Sequence, residues 1–277
     1  SRGLGDVYKR QAEKKAARHD RNHGQRRSSL KKQPCAAPRP EPHTAKEHNE
    51  KGCPDEQPTL SLSPAVALSE TMGAIHRRGW CDGTGGNFSC VLQRDPLRLL
   101  MAPSGVDKGS VAPEDLIVVD QNGNVMEGDG RASAETALHL AIVDTCGAGA
   151  VLHTHSQAGT LLSRLAIREN GGSEDKDSTS IDLDGLEMLK GLEGIQTHAT
   201  VVQLPVLAND QDLNRLSNKA RTLLPEAPHG LLLAGHGLYA WGSDLTQARR
   251  HLEILEFLLE QHWRLTLYEA ITARRRS

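Results

Sequence analysis

Ala148-Gly149-Ala150-Val151-Leu152-His153-Thr154-His155 reads as a short apolar strand that ends in two histidines. The run from Ala148 to Leu152 is small, branched and buried in character. Side chains alternate across a strand, so residues two apart share a face, and His153 and His155 can close on one ion. A second apolar run ends in Gly235-His236-Gly237 and could supply a third nitrogen. Three imidazoles with a coordination position left open are the donor set of a catalytic zinc site, whereas a structural site is closed by four ligands. A lone histidine is more often a surface or core residue, but two on one face of a buried strand end need partners to offset their burial.

Working outward, Ser63-Pro64 announces a helix with Val66, Leu68, Met72 and Ile75 on one face, ended by Arg77, Arg78 and Gly79. Phe88–Leu92 and Leu97–Met101 form a hairpin about the Arg94-Asp95-Pro96 turn, and Leu116–Val119 pairs with Val125-Met126 through Asn122-Gly123. Ser133 is expected to cap a helix carrying Leu138, Ala141 and Ile142, which stops at Gly147-Ala148-Gly149. Two helical stretches and a Gly/Ser/Asp-rich loop at 169–180 follow the His-x-His strand. Thr200–Leu207 is a strand, Leu213–Leu224 a helix, and Leu231–Trp241 a strand pair around His236. Ser243 is expected to cap a last helix with Leu245, Ala248, Leu252, Leu255 and Leu259 on one side. Hairpins dominate, so the sheet is expected to be largely antiparallel with helices on its faces.

Residues 1–60 are rich in Lys, Arg, His, Gln and Pro and hold too few branched apolar residues to offset chain entropy, which predicts a disordered leader before one folded domain at 61–277. Within it, Asp6-Val7-Tyr8-Lys9-Arg10-Gln11 reads like the translation of a transposase sequencing adapter, so residues 1–11 are set aside as non-biological. The rest of the leader reads as a solvated tail, with an organellar transit segment as the other reading. A net charge of −2 and 3% aromatic residues give no footprint for nucleic acid. The five cysteines (Cys35, Cys53, Cys81, Cys90 and Cys146) form no Cys-x-x-Cys pair, as in a reduced, cytoplasmic enzyme. No apolar run reaches the roughly 18 residues needed to span a bilayer, and the first residues lack the apolar centre of a secretory signal.

Five segments occur in an ordered series: Gly79-Trp80-Cys81-Asp82-Gly83-Thr84-Gly85-Gly86-Asn87-Phe88-Ser89, Ala102-Pro103-Ser104-Gly105, Ser133-Ala134-Glu135, His153-Thr154-His155 and Gly235-His236-Gly237. In order and spacing they resemble the class II, zinc-dependent aldolase superfamily over residues 62–270, and within it the methylthioribulose-1-phosphate dehydratases of methionine salvage. The resemblance implies a three-layer α-β-α sandwich around the antiparallel sheet, assembled as a homotetramer with sites near subunit interfaces. It also implies a sugar-phosphate substrate and Zn²⁺ on His153, His155 and His236.

By the same resemblance the phosphate is held by Thr84, Gly86, Asn87, Ser104 and Gly105, with Ser133 as a further donor. A glycine-rich turn taken alone is most often structural. Lys108 is either a counter-charge or an ordinary solvated lysine. Glu135 matches an acidic residue beside the metal, but a zinc neighbour, a group behind the ligands and a first-turn helix glutamate all remain open. Glu187, in Leu186-Glu187-Met188-Leu189-Lys190-Gly191, matches the dehydratases' general acid/base; by sequence alone it passes for an exposed helix glutamate. The implied reaction removes the C3 proton and the C4 hydroxyl of a 2-ketose phosphate. Its rivals are an aldolase or epimerase acting on fuculose, rhamnulose or ribulose phosphates, and a noncatalytic adducin-like module, which would lack the histidines.

Overall fold

The computed structural model describes residues 62–169 and 177–275. The leader with its adapter and transit readings, Cys35, Cys53 and the middle of the loop expected at 169–180 lie outside the described residues.

Nine strands form one sheet in the order β4-β3-β2-β1-β5-β9-β8-β7-β6. They are β1 Asn87–Arg94, β2 Leu97–Met101, β3 Ile117–Val119, β4 Val125–Glu127, β5 Ala150–Thr154, β6 Ser178–Asp184, β7 Val201–Leu207, β8 Gly230–Leu233 and β9 Gly237–Gly242. Every neighbouring pair is antiparallel except β7 and β8. That parallel pair is joined through a helix, as a parallel connection requires. The helices are α1 Pro64–His76, α2 Thr136–Cys146, α3 Gln157–Glu169, α4 Leu213–Leu223 and α5 Leu245–Arg275.

The core has two halves, one on each face of the sheet. Leu68, Met72 and Ile75 of α1, Leu162 of α3 and Leu252, Leu255 and Leu259 of α5 join Phe88, Leu152, Leu204 and Leu238 on one face. Leu138, Ala141 and Ile142 of α2 and Leu216 and Ala220 of α4 join Val151, Leu231 and Tyr239 on the other. Val151 and Leu152 serve opposite faces because side chains alternate. Covered on both sides, β5 is buried at every residue and is apolar up to its histidine. The α/β three-layer sandwich with a largely antiparallel sheet is therefore what the chain adopts.

Local expectations hold in part. Ser63 caps α1 by accepting from the Val66 N–H at 3.3 Å. Ser133 does not cap α2: its hydroxyl accepts from the Glu135 N–H at 3.2 Å, organising the turn ahead of a helix whose cap residue is Glu135. At α5 the capping oxygen belongs to Asp244, which accepts from the Gln247 N–H at 2.8 Å, while Ser243 bonds the Gln247 amide. The loop expected at 169–180 gives way to β6 at Ser178, which pairs with β7 along its length. Of the two helical stretches expected before Thr200, the second is the short 3₁₀ segment Glu187–Gly191. Among the described residues no helix is long and apolar enough to cross a membrane.

Candidate metal centre

β5 lies between β1 and β9, and its C-terminal end delivers His153 in the strand and His155 just beyond it. His236 comes from the β8–β9 turn, where the chain must pass close to β5. A Cβ on Gly237 would overlap the Thr154 carbonyl oxygen, so only glycine fits there. The side chains of Glu135, His153, His155 and His236 converge, each offering one ligand atom within 4.8 Å of the others.

The donor set fits a divalent ion. His153 Nδ1 donates to the Leu238 carbonyl at 2.9 Å, which leaves the lone pair on Nε2. That Nε2 faces His155 Nε2 at 2.8 Å. Two facing imidazole nitrogens need a shared proton or a shared cation. Glu135 Oε1 lies 3.0 Å from His236 Nε2 and 3.7 Å from His153 Nε2. Burial opposes ionisation of Glu135, but the hydrogen bond from His236 and the fields of His153, His236 and His139 outweigh it and hold the carboxyl at about 2. Burial holds His153 well below the usual imidazole range, against the pull of Glu135 and with the repulsion of His155 and His236. His155 is lowered for the same first reason. Neutral imidazoles beside an ionised carboxylate are the protonation states that a metal requires.

The glycine-rich segment packs against this cluster. A Cβ on Gly85 would lie 2.8 Å from His155 Nδ1. Gly86 adopts φ +81° with the His153 carbonyl 2.9 Å from where a Cβ would be. Asn87 is paired with His153 across β1 and β5, and its Oδ1 accepts from the Phe88 N–H at 2.9 Å. The Asn87 Nδ2 group is buried without a partner, a donor free for a ligand. Lys108 ties the next segment to this one: its ammonium donates to the Thr84 carbonyl at 3.3 Å and to the Val106 carbonyl at 2.9 Å. The Ser104 N–H donates to the Arg131 carbonyl at 2.9 Å, which brings the segment carrying Ser133 alongside Ser104-Gly105. The reading of Lys108 as a solvated lysine is overturned, since it is buried and burial lowers its pKa.

Glu187 is not brought into the cluster. It lies exposed on the 3₁₀ segment, 2.5 Å from Lys190 Nζ and 3.1 Å from His198 Nδ1. The hydrogen bond and charge of Lys190, with His198, lower its pKa.

Two residues that the sequence did not single out lie behind the cluster. Tyr239, opposite His153 in the β5–β9 register, stacks on its ring at a centroid distance of 3.9 Å. His139, one turn after Glu135, takes a 2.7 Å bond with Ser89 Oγ, and burial, opposed by Glu135, lowers its pKa to about 4. The signals were the four-residue spacing of Glu135 and His139 and the alternation of Leu238-Tyr239-Ala240.

Residues 66–263 match the class II aldolase and adducin N-terminal domain family. The chain is similar to a methylthioribulose-1-phosphate dehydratase of Sorangium cellulosum, 40% identical over 72% of this chain and 90% of the relative. A dehydratase of that name from Methylococcus capsulatus is 41% identical over 73% of this chain and 93% of its own. Among solved structures, an L-fuculose-1-phosphate aldolase from Thermus thermophilus is 27% identical with a TM-score of 0.54, covering 75% of this chain and 95% of that one. Another L-fuculose 1-phosphate aldolase shares the fold at 24% identity with a TM-score of 0.59, covering 75% of this chain and 89% of that one.

Proposed function

This chain belongs to the class II aldolase and adducin N-terminal domain family, and from that premise we propose that it is a methylthioribulose-1-phosphate dehydratase. The reaction is loss of water from 5-methylthioribulose 1-phosphate to give 2,3-diketo-5-methylthiopentyl 1-phosphate, a step of methionine salvage. The observation that carries this reading is the 40–41% identity over nine-tenths of the length of relatives bearing that name. The domain assigned to it is 61–277, supported by the family match at 66–263.

His153, His155 and His236 would hold a divalent ion, which we assign as zinc and which would supply Lewis acidity toward the substrate carbonyl. The chain's own groups do the rest. Asn87 Nδ2, the backbone of Thr84, Gly86 and Gly105, and the hydroxyls of Ser104 and Ser133 bind the phosphate, with the buried Lys108 charge beneath them. Glu187 is assigned to take the C3 proton and to protonate the departing C4 hydroxyl, so that water leaves and the remaining enol becomes the diketone. Its carboxylate is held ionised by Lys190 and His198, as a base requires. A second reading gives the proton transfer to Glu135, the carboxylate lying against His153 and His236.

The assembly is assigned as a homotetramer in the cytoplasm. Support comes from Leu265, Leu267, Tyr268 and Ile271, exposed along the far end of α5, and from Cys81, Cys90 and Cys146, which are free thiols. The test is incubation of purified protein and zinc with methylthioribulose, fuculose, rhamnulose and ribulose phosphates, followed by mass spectrometry. Loss of water from the first alone is the expected result. Carbon-carbon cleavage would assign an aldolase instead, and no turnover of any would favour an adducin-like binding module.

A further inference from the structure

A second group of ligating side chains lies away from the first. Glu193, His229 and His251 each offer one ligand atom within 4.8 Å of the others. They come from three separate places: the loop after the 3₁₀ segment, the entry to β8, and the second turn of α5. The two clusters stand at opposite ends of β9, with His236 preceding its first residue and Trp241 near its last. Five residues of strand separate those ends, roughly 15 Å, too far for one bridged centre.

Each member is prepared. His251 Nδ1 must donate to the Trp241 carbonyl, an acceptor only, at 2.7 Å; this puts the lone pair on Nε2, which accepts from the Glu193 N–H at 3.4 Å. His229 is the one non-glycine residue with positive φ among those described, at 58°. Its N–H donates to Ala227 O at 2.9 Å and its carbonyl accepts from the Trp241 N–H at 3.1 Å. A glycine would hold that conformation without strain, so the imidazole is kept at a backbone cost. The His229 and His251 rings lie face to face at 4.2 Å. Glu193 Oε2 is 3.8 Å from His229 Nε2. Two donors on one tetrahedral ion, each about 2.0–2.2 Å from it, stand about 3.3–3.6 Å apart, so the Glu193–His229 separation is already close, while the stacked rings must tilt to aim both lone pairs at one ion. A cleft of about 460 Å³ lined by Glu193, His229, Trp241 and Cys146 gives an ion access to two of the three ligands. Burial keeps both imidazoles below their usual pKa; His251 adds to this at His229, and Glu193 opposes it at both.

We propose that Glu193, His229 and His251 form a second, mononuclear site for a divalent cation of the zinc class, which ties α5 to the entry of β8 and to the loop after the 3₁₀ segment. Two nitrogens and one carboxylate oxygen suit such an ion better than a hard, all-oxygen one. The site stands independently of the proposed dehydratase reaction.

The probe is Zn²⁺ itself. Full-length protein is stripped with a chelator, titrated against a chromophoric competitor and assayed for bound zinc after desalting. The wild type is expected to hold two equivalents, whereas His229→Gly and Glu193→Gln each hold one and show a smaller zinc-induced rise in Tm. His229→Gly also relieves backbone strain, so its zinc-free form is expected to melt no lower than the wild type. Glu193 is exposed, so Glu193→Gln tests the site even if the glycine variant folds poorly. Whatever the total, bound zinc that neither substitution lowers by one equivalent would overturn the proposal.

Discussion

At the scale of single residues, three buried or ion-paired carboxylates carry opposite expectations. Glu187→Gln keeps the shape of a proton carrier without its chemistry, so turnover should fall about 10²- to 10⁴-fold with zinc content unchanged. Glu135→Gln removes the negative charge between His153 and His236, so its main effect should be weaker zinc retention. Turnover, bound zinc and deuterium exchange at substrate C3 measured in both variants separate the roles, and a fully active Glu187→Gln enzyme would transfer the proton step to Glu135. Glu256 of α5 is different again. It is buried, and its Oε1 accepts from Thr154 Oγ1 at 2.5 Å, on the segment between the two β5 histidines. Burial raises its pKa to about 7, against the hydrogen bonds from Ser156 and Thr154 that lower it. Between the ordinary value of 4.5 and 7 the folded chain holds more protons than the unfolded one, so stability falls as pH rises through that window. The loss is about 3 kcal/mol by pH 8. Glu256→Gln should therefore raise Tm at pH 8 and match the parent near pH 5; an equal shift at both values would contradict the buried-acid account. The convergence of His153, His155 and His236 was legible because a strand end and a Gly-His-Gly turn announce them locally. Glu256 and Tyr239 were not, because each gains its role from a partner distant in the chain, and for Lys108 the sequence left its burial open.

At the scale of elements, the β8–β9 turn is the tightest constraint on the site. Gly237→Ala places a methyl group against the Thr154 carbonyl, which should cost on the order of 1–3 kcal/mol and displace His236. Calorimetry and zinc analysis check this together, and a variant with the parent's Tm and metal content would show that the turn is slack. The hairpins and most helix bounds were readable because Asn122-Gly123, Ser63-Pro64 and the apolar periodicities are local signals. Caps were misplaced by one or two residues at Ser133 and Ser243. Ser243-Asp244 offers two capping side chains in a row, and only the geometry of entry chooses Asp244. β6 was hidden because its alternation begins inside a stretch whose composition reads as a turn.

At the scale of the whole molecule, both halves of the core among the described residues are built from residues between Leu68 and Leu259. A chain of residues 61–277 is therefore expected to keep the Tm and turnover of the full sequence, and a large drop in melting temperature would show that residues 1–60 contribute to the fold. The antiparallel character of the sheet was legible from its hairpins, but not the placing of β5 between β1 and β9, since no local signal encodes pairings of such sequence separation. That placement also bears on synthesis. His153 is bonded to Leu238 across 85 positions, and His236 leaves the ribosome 83 residues after His153. At translation rates of about 5–20 residues per second, the interval is roughly 4–17 s. A nascent chain thus exposes His153 and His155 well before their third partner exists, so metal captured early would meet an incomplete ligand set, and correct loading belongs after β9 has closed onto β5.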